Sequence, residues 1–510
     1  MFKFCLLVIS NLALCISCQG QITFSKLYSN LDPYSTWGYA IEQDSPFYYI
    51  FGGGGESYDG FQYISTFLIK TDTLGNQLTF KNFSKEHAAY YASRPGALKK
   101  IHSGLFLAGS TLADTGTMGL LYLFNGECDT IFTKRFKGDG FTAFYNTDII
   151  NDTIYLIGAT RDTLGSEVFL YLVALDTFGT TLWEQKIGNG VNAEFGLNVD
   201  HFTNGNLLLS GSVDYDDTGM VTDGKIYKTN RSGDPYFSKT YGTPFDDSHQ
   251  YAKVSINNKS ILVQQAIDTI INIGDVEYPR FVGKMDTSGN YIWRTFLNKP
   301  IFLDLWNLWE NVDGTVVACG TTKPDSLENL HGFITKLDSN GIILWERTYT
   351  TDNYYDAYFF DVQQTPDKGF IISGSAVGDI LGEPNQQMWL VKLDSMGCLE
   401  PGCADTFTSI NPILIQNAMF TIYPNPISNT ATAEIHIPEN FTIIPGEKLF
   451  LNIYDLNGKL VDSYTNISVQ NPNEVIRFNI YNKNLPSGIY EAALFYGGIK
   501  LGVMKLQYTD

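Results

Sequence analysis

The chain has 510 residues, 44% of them hydrophobic and only 17% charged, with aromatics at 14% supplied mainly by 31 Tyr and 34 Phe. That length calls for two or three domains, and the mixture suits β-structure, where rings and β-branched side chains pack on a pleated surface. A net charge of −20 argues against a nucleic-acid partner, whose phosphates need a cationic surface; an acidic surface keeps an exported protein soluble and can hold divalent cations.

Residues 1–20 read as a signal peptide. Lys3 is a minimal positive region and Cys5 to Ile16 an apolar run of the length such leaders carry, too short to span a bilayer. Small residues at Ser17 and Gly20 place cleavage near Gln21. A lipoprotein signal lipidated at Cys18 is the rival reading, with Cys15 standing where Leu is usual. No later apolar run is long enough to cross a membrane, so the mature chain is expected to lack a transmembrane segment.

A repeated unit follows: an apolar strand, an Asp-x-x-Gly turn, and a second strand often holding Trp. Its clearest copies centre on Asp176/Gly179/Trp183, Asp286/Gly289/Trp293 and Asp338/Gly341/Trp345. The turn glycines are placed at 75, 126, 179, 233, 289, 341 and 397, at steps of 51 to 56 residues, right for a four-stranded propeller blade. A second marker is an apolar strand running into glycine, at Gly52, Gly109, Gly158, Gly211, Gly320 and Gly374; the fifth copy, Leu262–Ala266, lacks it. The seventh unit stops after Gly397 without its outer strand. Ile22–Tyr28, which matches the outer strand Phe237–Tyr241, supplies one. Residues 21–403 are therefore expected to form an all-β, seven-bladed β-propeller whose N-terminal strand closes the last blade, leaving no blade to cap. The Asp-x-x-Gly-x-x-x-Trp spacing resembles the tryptophan-docking motif of quinoprotein-type propellers. That resemblance implies that Trp183, Trp293 and Trp345 pack between blades; without vicinal cysteines, no quinone or other cofactor is expected.

Cys128 and Cys319 read as isolated core residues. Cys398 and Cys403 frame the turn Pro401-Gly402, and a local disulfide suits an oxidising compartment. A metal site there would have only two ligands.

Residues 404–417 read as a linker, and 418–510 drop the repeat. Their markers are Tyr423-Pro424-Asn425-Pro426, then Tyr454, Asp455, Gly458 and Lys459, then Gly488 and Tyr490. Asp455–Gly458 is a hairpin turn between apolar strands, and strands at this spacing predict a small C-terminal β-sandwich. With these motifs in this order, the segment resembles the type A C-terminal sorting domain of proteins exported by the type IX (Por) secretion system of Bacteroidetes. The tail Leu506–Asp510 departs from that pattern. The resemblance implies handling by the type IX secretion machinery and removal of the domain by a surface peptidase. It also implies a destination outside the cell or on the outer-membrane surface, reached via the periplasm. An ordinary partner-binding sandwich is the other reading.

Catalytic signatures are missing: there is no His-Glu-x-x-His, Gly-x-Ser-x-Gly or Gly-x-x-x-x-Gly-Lys. Gly52–Gly55 reads as a crowded turn at a strand end, and the six histidines are scattered. Asp214, Asp216 and Asp217 are the only calcium candidates, with Lys225 where the bidentate Glu belongs; solvated loop carboxylates are the default. Loops after the glycine-marked strands and loops between blades share one face, where Tyr34, Trp37, Tyr354 and Tyr355 offer rings to a surface glycan or protein ligand. The sequence thus describes an exported, non-catalytic binding or scaffold protein. The alternative is a carbohydrate-active enzyme with acid and base carboxylates on the loop face.

Overall fold

A computed structural model describes residues 21–509 except 29–34, 59–60, 84–87, 93, 103–104, 114–115, 137–139, 162–166, 216–221, 243–246, 248–250, 267–268, 273–274, 278, 298–301, 325–328, 353, 381–382, 401–402, 404–418, 438–447, 455–459, 472, 484 and 497–498. Every element among the described residues is a β-strand.

Seven antiparallel sheets share one plan. In the first, Ser35–Asp44, Phe47–Tyr58, Phe61–Asp72 and Gln77–Phe83 pair in chain order. The third runs from Thr142–Ile150 to Thr181–Ile187, the fourth from Ala193–His201 to Pro235–Tyr241, the fifth from Tyr251–Val254 to Tyr291–Leu297 and the sixth from Phe302–Glu310 to Ile343–Tyr349. In the second, Ala89–Ala92 and Leu98–His102 both pair on Leu105–Ala113. The seventh takes Asp356–Gln364, Phe370–Ile380 and Glu383–Leu393 from the end of the array, and Phe24–Leu27 as its fourth strand. Phe24 lies opposite Lys392 and Leu27 opposite Trp389, and the Trp389 indole N–H donates to Ser25 Oγ at 2.8 Å. Each sheet packs on the next, and the seventh packs on the first. Second strands are therefore covered on both faces: Leu207–Asp214 is buried at every position but its last. Fourth strands such as Thr181–Ile187 alternate towards solvent.

The repeated turn is a side-chain device. At Asp72, Asn125, Asp176, Asn230, Asp286, Asp338 and Asp394 one side-chain oxygen accepts the N–H groups two and four residues on, at 2.7–3.0 Å. The residue after the first of these adopts a φ of +66° to +83° in every copy. In the second copy that residue is Cys128, not Gly126, because the turn begins at Asn125 and its fourth residue falls two positions beyond Gly126. Glycine elsewhere also answers to packing. A Cβ on Gly75, Gly179, Gly233, Gly341 or Gly397 would lie 2.6–2.8 Å from Phe24, Phe132, Trp183, Trp293 or Trp345, each on the outer strand of the preceding sheet. The three tryptophans thus pack between sheets, and Phe24 makes the same contact from the seventh sheet to the first.

The glycine of the second strand has a different cause. In five sheets the first strand carries a β-bulge, at Tyr39, Tyr145, Leu197, Trp306 and Phe360. Facing each bulge stands Gly52, Gly158, Gly211, Gly320 or Gly374, where a Cβ would collide with the carbonyl oxygen just before the bulge. In the fifth sheet Gln265 stands at the equivalent place, and the first-strand residues 248–250 before Tyr251 lie outside the described residues. Gly52–Gly55 are accordingly not a turn: they lie inside Phe47–Tyr58, under the Trp37 ring and backbone. Phe370–Ile380 and Glu383–Leu393 pair along their length up to Ile380 and Glu383.

Beyond the seventh turn a disulfide joins Cys398 and Cys403, while Cys128 and Cys319 are buried free thiols. The C-terminal segment forms two antiparallel sheets. One holds Met419–Tyr423, Thr430–His436 and Val475–Tyr481; the other holds Leu460–Ile467, Leu449–Tyr454, Gly488–Tyr496 and Ile499–Tyr508. Both face one apolar core that includes Ile422, Ala433, Ile435, Leu451, Ile453, Leu494 and Tyr508.

Candidate functional site

First strands are tied edge to edge by side chains that bond across to the neighbouring sheet. Asn146 Nδ2 donates to Pro95 O at 3.2 Å, and His201 Nδ1 lies 2.6 Å from Asp148 Oδ2. Asn198 Nδ2 donates to Ala252 O at 2.7 Å and Lys253 Nζ to Leu308 O at 2.9 Å. Asn307 donates to Asp361, and Gln363 Nε2 donates to Ile41 O at 2.7 Å. Lys100 Nζ meets Asp44 Oδ1 at 2.8 Å. These contacts run from sheet to sheet and return to the first, so the seven first strands surround a common axis. Antiparallel pairing fixes the two ends of that axis. One end carries the connections between sheets and those between second and third strands. The other carries the tight hairpins and the Asp-x-x-Gly turns.

At the loop-bearing end the bulges turn one residue per strand to a shared level. The Tyr39 and Phe360 rings are 5.0 Å apart, and Trp306 stands edge-on to Phe360 at 5.1 Å. In the second sheet the break between Ala92 and Leu98 plays the same part: Arg94 N donates to Tyr145 O at 3.2 Å, and its guanidinium lies 5.5 Å from the Tyr145 ring. Burial lowers the Arg94 pKa, against the raising influence of Tyr145, Tyr39 and Asp304. Asp304 is itself raised by burial and paired with Arg280 at 3.2 Å. The result is a collar of Tyr39, Arg94, Tyr145, Trp306 and Phe360, of which the first four keep part of their surface open.

Below the collar lies Asp361, 1% exposed. Its Oδ2 accepts Ile41 N at 3.0 Å and Gly96 N at 3.2 Å, and its Oδ1 accepts Val362 N at 2.8 Å and the Asn307 amide. Burial raises its pKa while the Lys253 charge opposes that rise.

Towards the hairpin end the axis becomes ionic. Ligating atoms of Asp148, Asp200 and His201 all lie within 4.8 Å of one another. Burial and the neighbouring Asp148 push Asp200 up to about 6. The hydrogen bond to Asp148 raises His201. Burial pushes Glu42 up to about 7. Burial and the Lys99 charge bring Lys253 down to about 8. Lys99 stays above its ordinary value because Asp148, Glu42, Asp200 and Asp361 outweigh its burial. Three ligating groups at this spacing are the nearest approach to a metal site among the described residues, and the Lys99 charge acts on both carboxylates.

These shifts predict a pH dependence. Glu42 and Asp200 hold protons in the folded state that the unfolded chain has released above pH 4, and His201 does so above its ordinary pKa. Stability therefore falls as pH rises through about 4 to 7. Lys253 acts in the opposite sense above pH 8. Urea unfolding is expected to give a stability about 1–3 kcal/mol lower at pH 8 than at pH 5, with the difference reduced in Asp200→Asn. An equal difference in both proteins would show that Asp200 is not a source of it.

Several residues expected to serve a site are elsewhere. Asp214 accepts Thr222 Oγ1 at 2.9 Å, while Asp216, Asp217 and Tyr34 lie outside the described residues. Tyr354 Oη donates to Gln387 Oε1 at 2.7 Å, and Trp37 stands 6.3 Å from Tyr39 beside the collar. Arg94, Tyr145, Trp306 and the ionic tier went unread, although each bulge residue falls 13 or 14 positions before its strand glycine.

In the C-terminal segment, Tyr423 Oη donates to Glu434 Oε2 at 2.9 Å. A hydrogen bond from Arg477, with others from Tyr423 and His436, holds Glu434 at about 2. Asn425 ties the Pro424–Pro426 stretch to the last strand: Gln507 N donates to its Oδ1 at 2.8 Å, and its Nδ2 donates to Lys505 O at 2.9 Å. Tyr490, after Gly488, stands edge-on to Tyr508 at 5.2 Å. Tyr454 pairs with Leu460 across the hairpin whose turn residues Asp455, Gly458 and Lys459 lie outside the described residues.

Puromycin hydrolase is similar to this chain at 9% identity and a TM-score of 0.44, over 80% of this chain and 60% of that one. This chain therefore matches less than two thirds of that protein's length. The β-propeller domain of the Trilobed protease from Pyrococcus furiosus is similar at 6% identity and a TM-score of 0.41, covering 74% of this chain and 99% of that one. An α-L-arabinanase from Penicillium chrysogenum is similar at 10% identity and a TM-score of 0.38, covering 74% and 98%. At such identities and TM-scores none of these activities transfers to this chain. No curated protein sequence matches it. Among the described residues no helix is long and apolar enough to cross a membrane. Residues 421–498 match the family described as "Secretion system C-terminal sorting domain". The chain thus carries the sorting domain of the type IX route, and that route exports it to the cell surface or the extracellular space.

Proposed function

We propose that the exported chain is a non-catalytic binding protein whose ligand sits on the collar at the loop-bearing end of the axis. In this reading residues 1–20 are a signal peptide and 21–403 a closed, seven-bladed propeller. Residues 404–417 are a linker, and 418–510 are a β-sandwich that a surface peptidase removes after export. The observation that carries it is the repeated bulge. Five sheets accept a bulge, each with its glycine, and so bring Tyr39, Tyr145, Leu197, Trp306 and Phe360 to one level. Half-exposed rings grouped around an axis offer flat apolar area with little side-chain entropy to lose on binding.

A glycan array probed with the wild-type chain and Trp306→Ala tests this reading. The expected result is a hit that weakens at least about tenfold in the variant. Undiminished binding by the variant would remove the collar from the site. Cleavage of any array glycan would favour a carbohydrate-active enzyme over a binding protein.

A further inference from the structure

We infer that the collar takes a carboxylated sugar, a uronic-acid residue of an acidic glycan, with its carboxylate on Arg94. The inference rests on the collar being the binding site and adds the ligand's chemistry. Arg94 is an unusual cation in this molecule. Among the described residues no carboxylate comes within ion-pair distance of its guanidinium, which lies 5.5 Å from the Tyr145 ring. Other half-buried cations around the axis do have partners: Arg280 pairs with Asp304 at 3.2 Å, Lys100 with Asp44 at 2.8 Å, and Lys253 donates to Leu308 O at 2.9 Å. An arginine crowded by protein yet without an anion is electrostatically incomplete, and a planar carboxylate is the group its fork matches in a bidentate way.

The neighbours of Arg94 define the rest of the ligand. The Tyr145 ring lies 5.5 Å from it and Tyr39 is near enough to act on its charge; the Phe360 ring is 5.0 Å from Tyr39, and Trp306 is 5.1 Å from Phe360. Asp304, close enough to influence Arg94, is fixed by Arg280 and presents a hydrogen-bond acceptor. The ligand must therefore combine one anionic group, an apolar face for stacking and hydroxyl donors for a carboxylate. A uronic acid has all three. A neutral sugar would leave Arg94 without an ion-pair partner, and an aromatic carboxylate would offer Asp304 no hydroxyl beside its bond to Arg280. At the collar Arg94 and Arg280 stand with Asp304, and the buried Asp361 lies beneath, so the local balance is far less acidic than the −20 of the whole chain.

Isothermal titration of the full chain with galacturonate and glucuronate trisaccharides, and with their carboxyl-reduced counterparts, tests the inference. At least one acidic trisaccharide is expected to bind about tenfold to a hundredfold more tightly than its reduced form. Arg94→Gln should abolish that preference while keeping the weaker binding of the reduced sugar. Arg94→Lys should restore part of it, and thermal melts of both variants check folding. Equal binding of acidic and reduced sugars, or a preference that survives in Arg94→Gln, would overturn the carboxylate assignment and leave the collar as the site. Binding of the tripeptide Gly-Gly-Phe in place of any acidic sugar would also overturn it. If Trp306→Ala leaves acidic-sugar binding unchanged, the collar itself is excluded, which separates the two failures.

Discussion

Deleting residues 418–510 is expected to reduce the extracellular protein to background and to leave the repeat array, folded, inside the cell envelope. The matched sorting domain occupies most of that segment, while the contacts that tie the seven sheets together lie between Phe24 and Leu393. Immunoblots of medium, surface and periplasmic fractions report the first part, and protease resistance of the periplasmic species reports the second. Undiminished secretion of the truncated chain would refute the sorting role. A shorter deletion sharpens the test. Ile499–Tyr508 lies beyond the matched residues, yet it pairs along the whole of Gly488–Tyr496 and buries Leu506 and Tyr508. It also holds the Tyr423–Pro426 motif through Asn425 and through Ile427 N, which donates to Gln507 O at 2.7 Å. Removing residues 499–510 should therefore block export as fully as removing the domain.

Replacing Asp361 with alanine is expected to destabilise the repeat array by about 3–5 kcal/mol, among the largest effects open to one residue. Its carboxylate joins four sheets by hydrogen bonds or by charge: Ile41 in the first, Gly96 in the second, Lys253 in the fifth and Asn307 in the sixth. Alanine removes the acceptor of three buried N–H groups and an amide, and each donor left unsatisfied costs about 1–3 kcal/mol. Asp361→Asn should also lose stability, because both oxygens already accept from donors and an amide nitrogen at either place would face one. Urea unfolding gives the numbers, with exposed Asp352 replaced by alanine as a control expected within about 0.5 kcal/mol of wild type. A loss below about 1 kcal/mol would show that Asp361 does not hold the first strands together.

The sequence disclosed what is repeated locally and concealed what is assembled across repeats. Turn chemistry is written within five residues, so Asp176 to Thr180 or Asp338 to Ile342 could be read directly. The strand at Phe24–Leu27 was legible because it repeats the pattern of Phe237–Tyr241. Cys128 misled because its side chain does not advertise a positive φ, while Gly126 beside it does. The axis was illegible for a different reason. Each repeat contributes one or two groups, such as Glu42, Lys99, Asp148, Asp200 and Asp361, and a lone carboxylate on a strand carries no sign of its partners some 50 residues away. The bulges were equally hidden, since register appears only once two strands are paired. The sorting motif could be read because Tyr423–Pro426 is contiguous, although its hold on Gln507 could not.

The strand pair Phe24–Leu27 with Trp389–Lys392 bridges positions as much as 368 residues apart. During synthesis the first partner emerges early and waits while six complete sheets follow it. The ring's last seam can be sewn only once the seventh sheet has arrived, so this contact reports that the array is whole. A chain truncated within any repeat keeps Phe24–Leu27 unmatched, an apolar strand edge open to proteases and to pairing with other chains. Pairing of the first strand thus depends on the whole array, and it can form only once the chain has been made as far as Lys392.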